Sequence, residues 1–202
     1  MSSPKSENKS SNQTNLGYLL IQVVLIVIGV LLGLAANEWR VARAEKAQAK
    51  NALRYIKDEL QRNKEHVAKI LPYHTKLSDT LKVFAATLSM NKRKLSFSDL
   101  YRAMPSGFGI PLLEKTGWQL ANQTGAIDHM DYDLAVSLSK LYAVQDFIQA
   151  KYLKVGDNFY VAGNINLKDM SGLIISLALL ANDILINEQE LSELYEAMIK
   201  KL

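Results

Sequence analysis

The sequence predicts an all-α protein in which an N-terminal transmembrane helix continues into a long stalk helix and is followed by an up-and-down helical bundle. Three observations support this fold class. The 202 residues include only 4 prolines and 10 glycines, so few positions break a helix. Residues 16–36 contain no Asp, Glu, Lys, Arg or His. Beyond them, apolar side chains recur at alternating spacings of three and four residues, which is the period of a helix face.

Composition and charge exclude several classes of function. The 24 basic and 20 acidic residues give a net charge of +4 and are interleaved along the chain, which argues against nucleic acid as a partner. The absence of cysteine excludes disulfides, thiolate metal sites and a cysteine nucleophile. The length suits one helical domain together with a membrane anchor.

The apolar run of residues 16–36 has the length of a membrane span. About twenty-one helical residues at ~1.5 Å each cover roughly 30 Å, the thickness of the hydrocarbon core of a bilayer. The competing interpretation is a cleaved signal peptide with Gly33 and Ala35 before the cleavage point, but the run exceeds a usual signal segment. Four residues at its ends are suited to the membrane interface: Tyr18, Trp39, Arg40 and Arg43.

A face of small residues within this span predicts helix packing in the membrane. Gly29 and Gly33 form a GxxxG motif and Ala36 extends it by a turn, which lets two helix backbones approach closely. Glycines without a partner helix are the alternative. Counting positive charges on either side of the span slightly favours the C-terminal domain in the cytoplasm but leaves the orientation open, because a long domain can be translocated regardless of its charge.

The remaining chain divides at helix signals. We expect a disordered polar tail over residues 1–15, the membrane helix over 16–37, a coiled-coil-like stalk over 38–71 and a helical bundle over 72–202. Pro72 is expected to end the stalk and to precede a second helix that folds back. Ser96 or Ser98 caps a short helix, and Asp131 begins a long one.

The helix predicted over residues 173–200 is apolar nearly all round in its first half and should be the most buried element. A second membrane span there is not expected, because Asp183 interrupts the apolar run after about eleven residues, too few to cross.

Two stretches carry a family resemblance. The motif "VIGVLLGL…NEW" within residues 17–64 and the pattern W…A…TGA…MDY…LS…Y within residues 111–145 resemble a family of uncharacterised bacterial single-pass inner-membrane proteins with an all-helical domain. The resemblance covers most of the chain after residue 16. It implies a bacterial, Gram-negative inner-membrane location, and no activity or ligand attaches to it.

One short stretch offers candidate chemistry. "DHMDYD" gathers Asp128, His129, Asp131 and Tyr132, but it lacks the spacing of a calcium loop or of a histidine metal motif. Its simpler interpretation is Asp131 as a helix cap. Trp118 with Tyr132 and Tyr142 can line a pocket or belong to a core. We find no catalytic, cofactor-binding or metal-binding motif, and we expect a protein that is not an enzyme and carries no cofactor.

The preferred function is therefore association: a membrane-anchored interaction or scaffold protein, homodimeric through its small-residue face and stalk, or an anchor for an envelope or cytosolic protein partner. The first alternative is a single-pass ligand-sensing bundle with a pocket near residues 105–111 and Trp118. The second is an enzyme using the cluster of residues 128–133, which requires a facing polar wall.

Overall fold

A computed structural model describes residues 12–90, 96–161 and 170–202, and within them the chain is all-α, as predicted. It divides into two compact units, Met1–Ala47 and Gln48–Leu202. The elements are α1 (Asn12–Ser89), α2 (Phe97–Ala103), α3 (Thr116–Gln123), a 3-10 turn (Ala126–His129), α4 (Tyr132–Val161) and α5 (Met170–Lys201).

The first unit contains the beginning of α1. Every large apolar side chain from Leu16 to Leu34 is between 46% and 66% exposed. Because α1 begins at Asn12, the last residues of the predicted tail are helical, and residues 1–11 of that tail lie outside the described part of the chain.

The second unit is a bundle of the remainder of α1 with α4 and α5. Its main core joins Ile56 and Leu60 of α1 to Leu138 of α4 and to Leu191 and Tyr195 of α5, all of them fully buried. α4 and α5 are held together at their surface by the ion pair of Lys151 with Asp183. Inside, the Tyr152 hydroxyl donates to the Ile184 carbonyl over 3.2 Å.

The predicted seam of the stalk is buried or half-buried from Ala49 onward, whereas its first positions, Trp39, Ala42 and Lys46, are exposed. Ala49, Ile56, Leu60, Asn63 and Val67 are each at most 4% exposed. They pack inside the second unit, against the helices of the same chain. This part of the seam is consequently not free to form a coiled coil with a second copy.

The prediction that Pro72 ends the stalk helix is wrong, and so is the separate helix expected after it, because α1 continues through Pro72 to Ser89. A proline inside a helix costs about 3 kcal/mol, through a lost hydrogen bond and a clash with the preceding turn. Beyond it, however, Leu77 and Leu81 are buried against Leu177. Burying each such side chain returns about 1.5 to 3 kcal/mol, so continuing the helix is favoured.

The other helix boundaries follow their local signals. Ser96 caps α2 in a reciprocal arrangement with Asp99, as the sequence indicated. Asp131 caps α4 by accepting the Leu134 N–H at 2.9 Å. α3 ends at Gln123, and Gly125 follows with φ of 70°, a conformation that glycine adopts without strain. α4 runs on to Val161, and residues 162–169 lie outside the described residues.

Among the described residues, two helices are long and apolar enough to span a membrane, α1 through its segment after Leu16 and α5 from Ser171. They differ in burial: 0% of the most apolar part of α1 is buried within the structure, against 33% of that of α5. Ile174, Leu177 and Ile184 of α5 are at most 1% exposed, which is the environment of a core helix. The single span predicted from the sequence remains a prediction.

Replacing Pro72 by alanine is expected to stabilise the bundle, by up to about 3 kcal/mol, because it restores a helical N–H at an exposed position. Thermal unfolding of the detergent-solubilised protein measures the change. Pro105→Ala is the matched control at an exposed loop proline, where greater freedom of the unfolded chain should lower stability by about 0.4 to 1 kcal/mol. A loss of stability in P72A would mean that the bundle depends on the local geometry set by the proline.

Candidate functional site

A connecting segment without regular secondary structure, residues 104–115, crosses the bundle between α2 and α3. Its backbone lacks the regular pairing of a helix or strand, and buried groups need partners from elsewhere. α1 supplies partners from Asn63 and His74, and its Glu59 does the same for the first turn of α3; all three side chains are at most 1% exposed. At about 100° per residue these three positions fall within roughly 60° of one another on the helix. We call them the polar face of α1.

Asn63 binds both backbone groups of Glu114. Its side-chain oxygen accepts the Glu114 N–H at 2.7 Å, and its nitrogen donates to the Glu114 carbonyl at 2.8 Å. Gln145 of α4 donates to the same carbonyl at 3.0 Å, so both lone pairs of that oxygen are used. Tyr195 of α5 donates in turn to the Gln145 side-chain oxygen at 2.9 Å. One residue of the segment is thereby fixed to three helices.

Glu59 fixes the beginning of α3. Its carboxylate accepts the Gly117 N–H at 2.6 Å and the Tyr142 hydroxyl at 2.6 Å. Gly117 lies in the first turn of α3, where a negative charge is favoured by the helix dipole. Burial, followed by the hydrogen bond to Glu59, raises the pKa of Tyr142 far above its ordinary value, so the phenol stays a donor.

The buried pair of His74 and Glu188 is the third contact. His74 Nδ1 lies 2.7 Å from a Glu188 carboxylate oxygen, and its Nε2 makes a short hydrogen bond to the Phe108 carbonyl. Burial opposes the charged imidazolium, but the hydrogen bond and charge of Glu188, with the Phe108 carbonyl, outweigh it and raise the pKa of His74. Among the described residues, the second Glu188 oxygen and the Ser78 hydroxyl have no hydrogen-bond partner.

A groove of about 500 Å³ opens between α1 and this segment. We call it the loop groove. Tyr73 donates to the Gly107 carbonyl at 2.5 Å on one side of it. Gly109 has φ of +54°, and a Cβ there would approach Ile70 to 3.2 Å, so glycine suits the position in both respects. The lining residues are His66, Lys69, Ile70, Tyr73, Ser106, Gly109, Ile110 and Pro111.

A smaller groove of about 310 Å³ lies between the end of α1 and α5. Ile175 and Leu179, which are 45% and 69% exposed, line one side, and Lys82 lines the other. These exposed side chains qualify the prediction that α5 is the most buried element, because one of its faces is open to solvent.

Of the three aromatic residues expected to line a pocket or belong to a core, Trp118 and Tyr142 contact each other at the core. Trp118 stacks on Tyr142 with ring centroids 5.1 Å apart and an interplanar angle of 8°, and it packs against the main core. Tyr132 is 79% exposed. Trp118 does not line the loop groove, so the predicted association of that residue with residues 105–111 in one pocket is wrong.

The cluster of residues 128–133 is exposed, with Asp131 acting as the cap of α4. Asp128 and His129 belong to the 3-10 turn, and the Asp128 N–H donates to the Gly125 carbonyl at 3.1 Å. Over the described ranges, no group of three or more His, Asp or Glu side chains is placed to hold a metal ion. The facing polar wall that an enzyme would need is not found at this cluster in those ranges.

The residues predicted for the membrane interface lie on the exposed surface of the first unit. Tyr18 and Trp39 are 64% and 66% exposed, and the Arg43 guanidinium lies 5.5 Å from the centre of the Trp39 ring. Arg40 donates to the Asn37 side chain at 3.2 Å. Neither Gly29 nor Gly33 has an atom near the position of an added Cβ, so the small-residue face is uncovered within this chain.

Sequence reasoning missed most of the polar face of α1. Asn63 stands out in the sequence as the one amide within the apolar seam, whereas no motif marks His74. Glu59 gave no signal, because its neighbours in sequence are the charged Asp58 and the apolar Leu60. From the sequence alone, such a carboxylate is expected to be solvated, because its hydrogen-bond partner, the Gly117 N–H of α3, is far along the chain.

Glu59→Gln is expected to destabilise the bundle by about 3 kcal/mol. The glutamine amide has the size of the glutamate carboxylate, but it lacks the charge that strengthens the hydrogen bonds from the Gly117 N–H and the Tyr142 hydroxyl. Its NH₂ group also faces one of these buried donors. Chemical denaturation of the solubilised protein measures the loss. Glu65→Gln is the matched control on the same helix, at an exposed carboxylate that accepts from Gln61, and should change stability by less than about 0.5 kcal/mol. Equal effects of the two changes would refute a special role for Glu59.

Comparisons with known proteins add no evidence on the role of these residues. The resemblance to bacterial inner-membrane proteins therefore rests on the sequence motifs alone and remains a prediction. No protein-family model, no curated protein and no solved structure matches the chain.

Proposed function

We propose that the chain is a membrane-anchored helical interaction protein whose bundle, residues Gln48–Leu202, is the working part. The observation that carries this proposal is the apolar segment of α1 after Leu16, of which 0% is buried within the structure. Burying an apolar surface is worth about 25 cal/mol per Å². Fifteen large apolar side chains in succession, from Leu16 to Leu34, are left to a lipid bilayer for their burial.

The proposed location is the bacterial inner membrane. The motifs shared with bacterial inner-membrane proteins support it, and the basic residues after the span favour the bundle on the cytoplasmic side. Trp39 and Arg43 fit the headgroup region, because a stacked aromatic ring and guanidinium combine an apolar body with a charge.

Homodimerisation is the form of association best supported. The stalk seam after Ala49 packs within its own bundle, so it is not the dimer interface. The face of Gly29, Gly33 and Ala36 has no covering contact and allows close helix approach in lipid. A ligand-sensing function is weaker, because the loop groove lacks Trp118, and an enzyme is weaker still, because the acidic cluster is exposed.

Placing arginine at both Ile26 and Val30 is expected to abolish membrane insertion, because each arginine near the centre of a span costs about 2.5 to 3.5 kcal/mol. Alkaline extraction of membranes should leave the parent chain in the pellet and release this variant. Gln61→Arg with Glu65→Arg is the matched control, two arginines at exposed bundle positions. Release of both variants would contradict the anchor.

The side of the membrane on which the bundle lies is measured with phosphatase and fluorescent-protein fusions after Leu202. Fluorescence alone supports the cytoplasmic orientation, and phosphatase activity overturns it.

Ala36→Cys is expected to form a disulfide-linked dimer in membranes under mild oxidation. The chain has no native cysteine to interfere. Glu38→Cys is the control at nearly the same depth, since two residues turn the side chain about 200° around the helix and away from the small-residue face. Crosslinking at A36C but not at E38C supports the dimer, whereas equal or absent crosslinking at both positions disproves it.

A further inference from the structure

The hydrogen bonds of His74 determine how many protons the buried pair of His74 and Glu188 must hold. Both ring nitrogens of His74 lie against oxygens, one from a carboxylate and one from the Phe108 carbonyl. A neutral imidazole has one N–H and one lone pair, so it can serve only one of these as a donor. Satisfying both requires an extra proton, held either as imidazolium beside carboxylate or as imidazole beside carboxylic acid.

Losing that proton must break one of the two contacts. A hydrogen bond to a charged acceptor is roughly twice as strong as one between neutral groups, so the remaining N–H stays with Glu188. The lone pair of Nε2 then faces the Phe108 carbonyl oxygen, and the two repel. The contact given up is the one to the connecting segment.

We propose that His74 and Glu188 form a proton-operated latch, which holds the segment of residues 104–115 at Phe108 when protonated and releases it when the proton leaves. Phe108 lies between Ser106 and Gly109, two residues that line the loop groove. Release at Phe108 therefore widens the loop groove. This proposal concerns the second unit alone and does not depend on the membrane anchor.

The other groups around the latch do not change the direction of its pH dependence. On α1, the Tyr73 ring is tilted against the His74 ring at 5.4 Å, with its hydroxyl bonded to Gly107, and Ser78 is neutral. On α4, Tyr152 is an uncharged donor, because burial and then the charge of Glu188 raise its pKa. Glu188 of α5 is the charged partner within hydrogen-bond distance of the imidazole.

The direction of the pH dependence follows from the raised pKa of His74. The protonated contact contributes fully below the unfolded pKa of about 6.5 and is lost as the pH rises through the higher folded pKa. The latch is thus closed at acidic pH and opens toward alkaline pH.

Histidine NMR of the full chain in detergent micelles tests the proton. The chain has 3 histidines, and the His74 signal is assigned with H74Q. Between about pH 5 and about pH 10 this signal should titrate above the ordinary imidazole pKa of about 6.5. In Glu188→Gln the midpoint should fall. A His74 signal that titrates at or below about pH 6.5 overturns the proposal.

Cysteine alkylation tests the release. Single cysteines at Ser106 and Ile110 flank Phe108 by two residues, the first exposed and the second half-buried. The rate for I110C divided by the rate for S106C should rise several-fold with pH, at the midpoint of His74. The same pair in a His74→Gln background is the control, because its ratio should lack that step. A ratio without a step in the parent background, or with the same step in H74Q, contradicts the latch.

Discussion

Three buried side chains of α1 hold backbone groups of the connecting segment, residues 104–115, and of α3 that follows it, and the bundle is arranged around those contacts. Asn63 takes both backbone groups of Glu114, Glu59 takes the first turn of α3 and His74 takes the Phe108 carbonyl. Without these partners, each buried peptide group would cost about 1 to 3 kcal/mol. The segment therefore follows the side of α1 that carries its partners, and α3 and α4 begin from positions fixed by it.

Apolar packing and polar contacts have different tasks in this bundle. Burial of Ile56, Leu60 and Leu191 supplies most of the driving force, but apolar surfaces tolerate many relative placements. Buried ionic and polar groups add little net stability, since their desolvation offsets their attraction. They do penalise any arrangement that leaves them unpaired. By contrast, the exposed bidentate pair of Arg62 with Glu114, at 2.8 Å, is worth at most about 1 kcal/mol, although the guanidinium holds the pKa of that carboxyl below its usual value.

The fold class, the exposed apolar segment, the caps at Ser96 and Asp131 and the buried seam were predictable, because each rests on contacts between residues close in sequence or on a repeated period. The continuation through Pro72 was not, since the cost is local while the compensation comes from α5, about a hundred residues later. The roles of Glu59 and His74 were not predictable either, because their partners also lie far along the sequence. A sequence period tells which positions are buried but not which backbone group each will meet, and so the loop groove was anticipated only from its prolines and glycines.

The separation of these partners along the chain also shapes biosynthesis. α1 leaves the ribosome well before α5, and the contact of His74 with Glu188 joins residues 114 positions apart. At about 5 to 20 residues per second, the buried face of α1 waits roughly 6 to 23 seconds for the residues that cover it. During that interval a helix with an apolar seam and three unpaired polar groups is exposed to the surroundings of the ribosome. Two nascent copies can associate through these seams during that interval, so the order of synthesis makes the seam of α1 the surface most prone to misassembly.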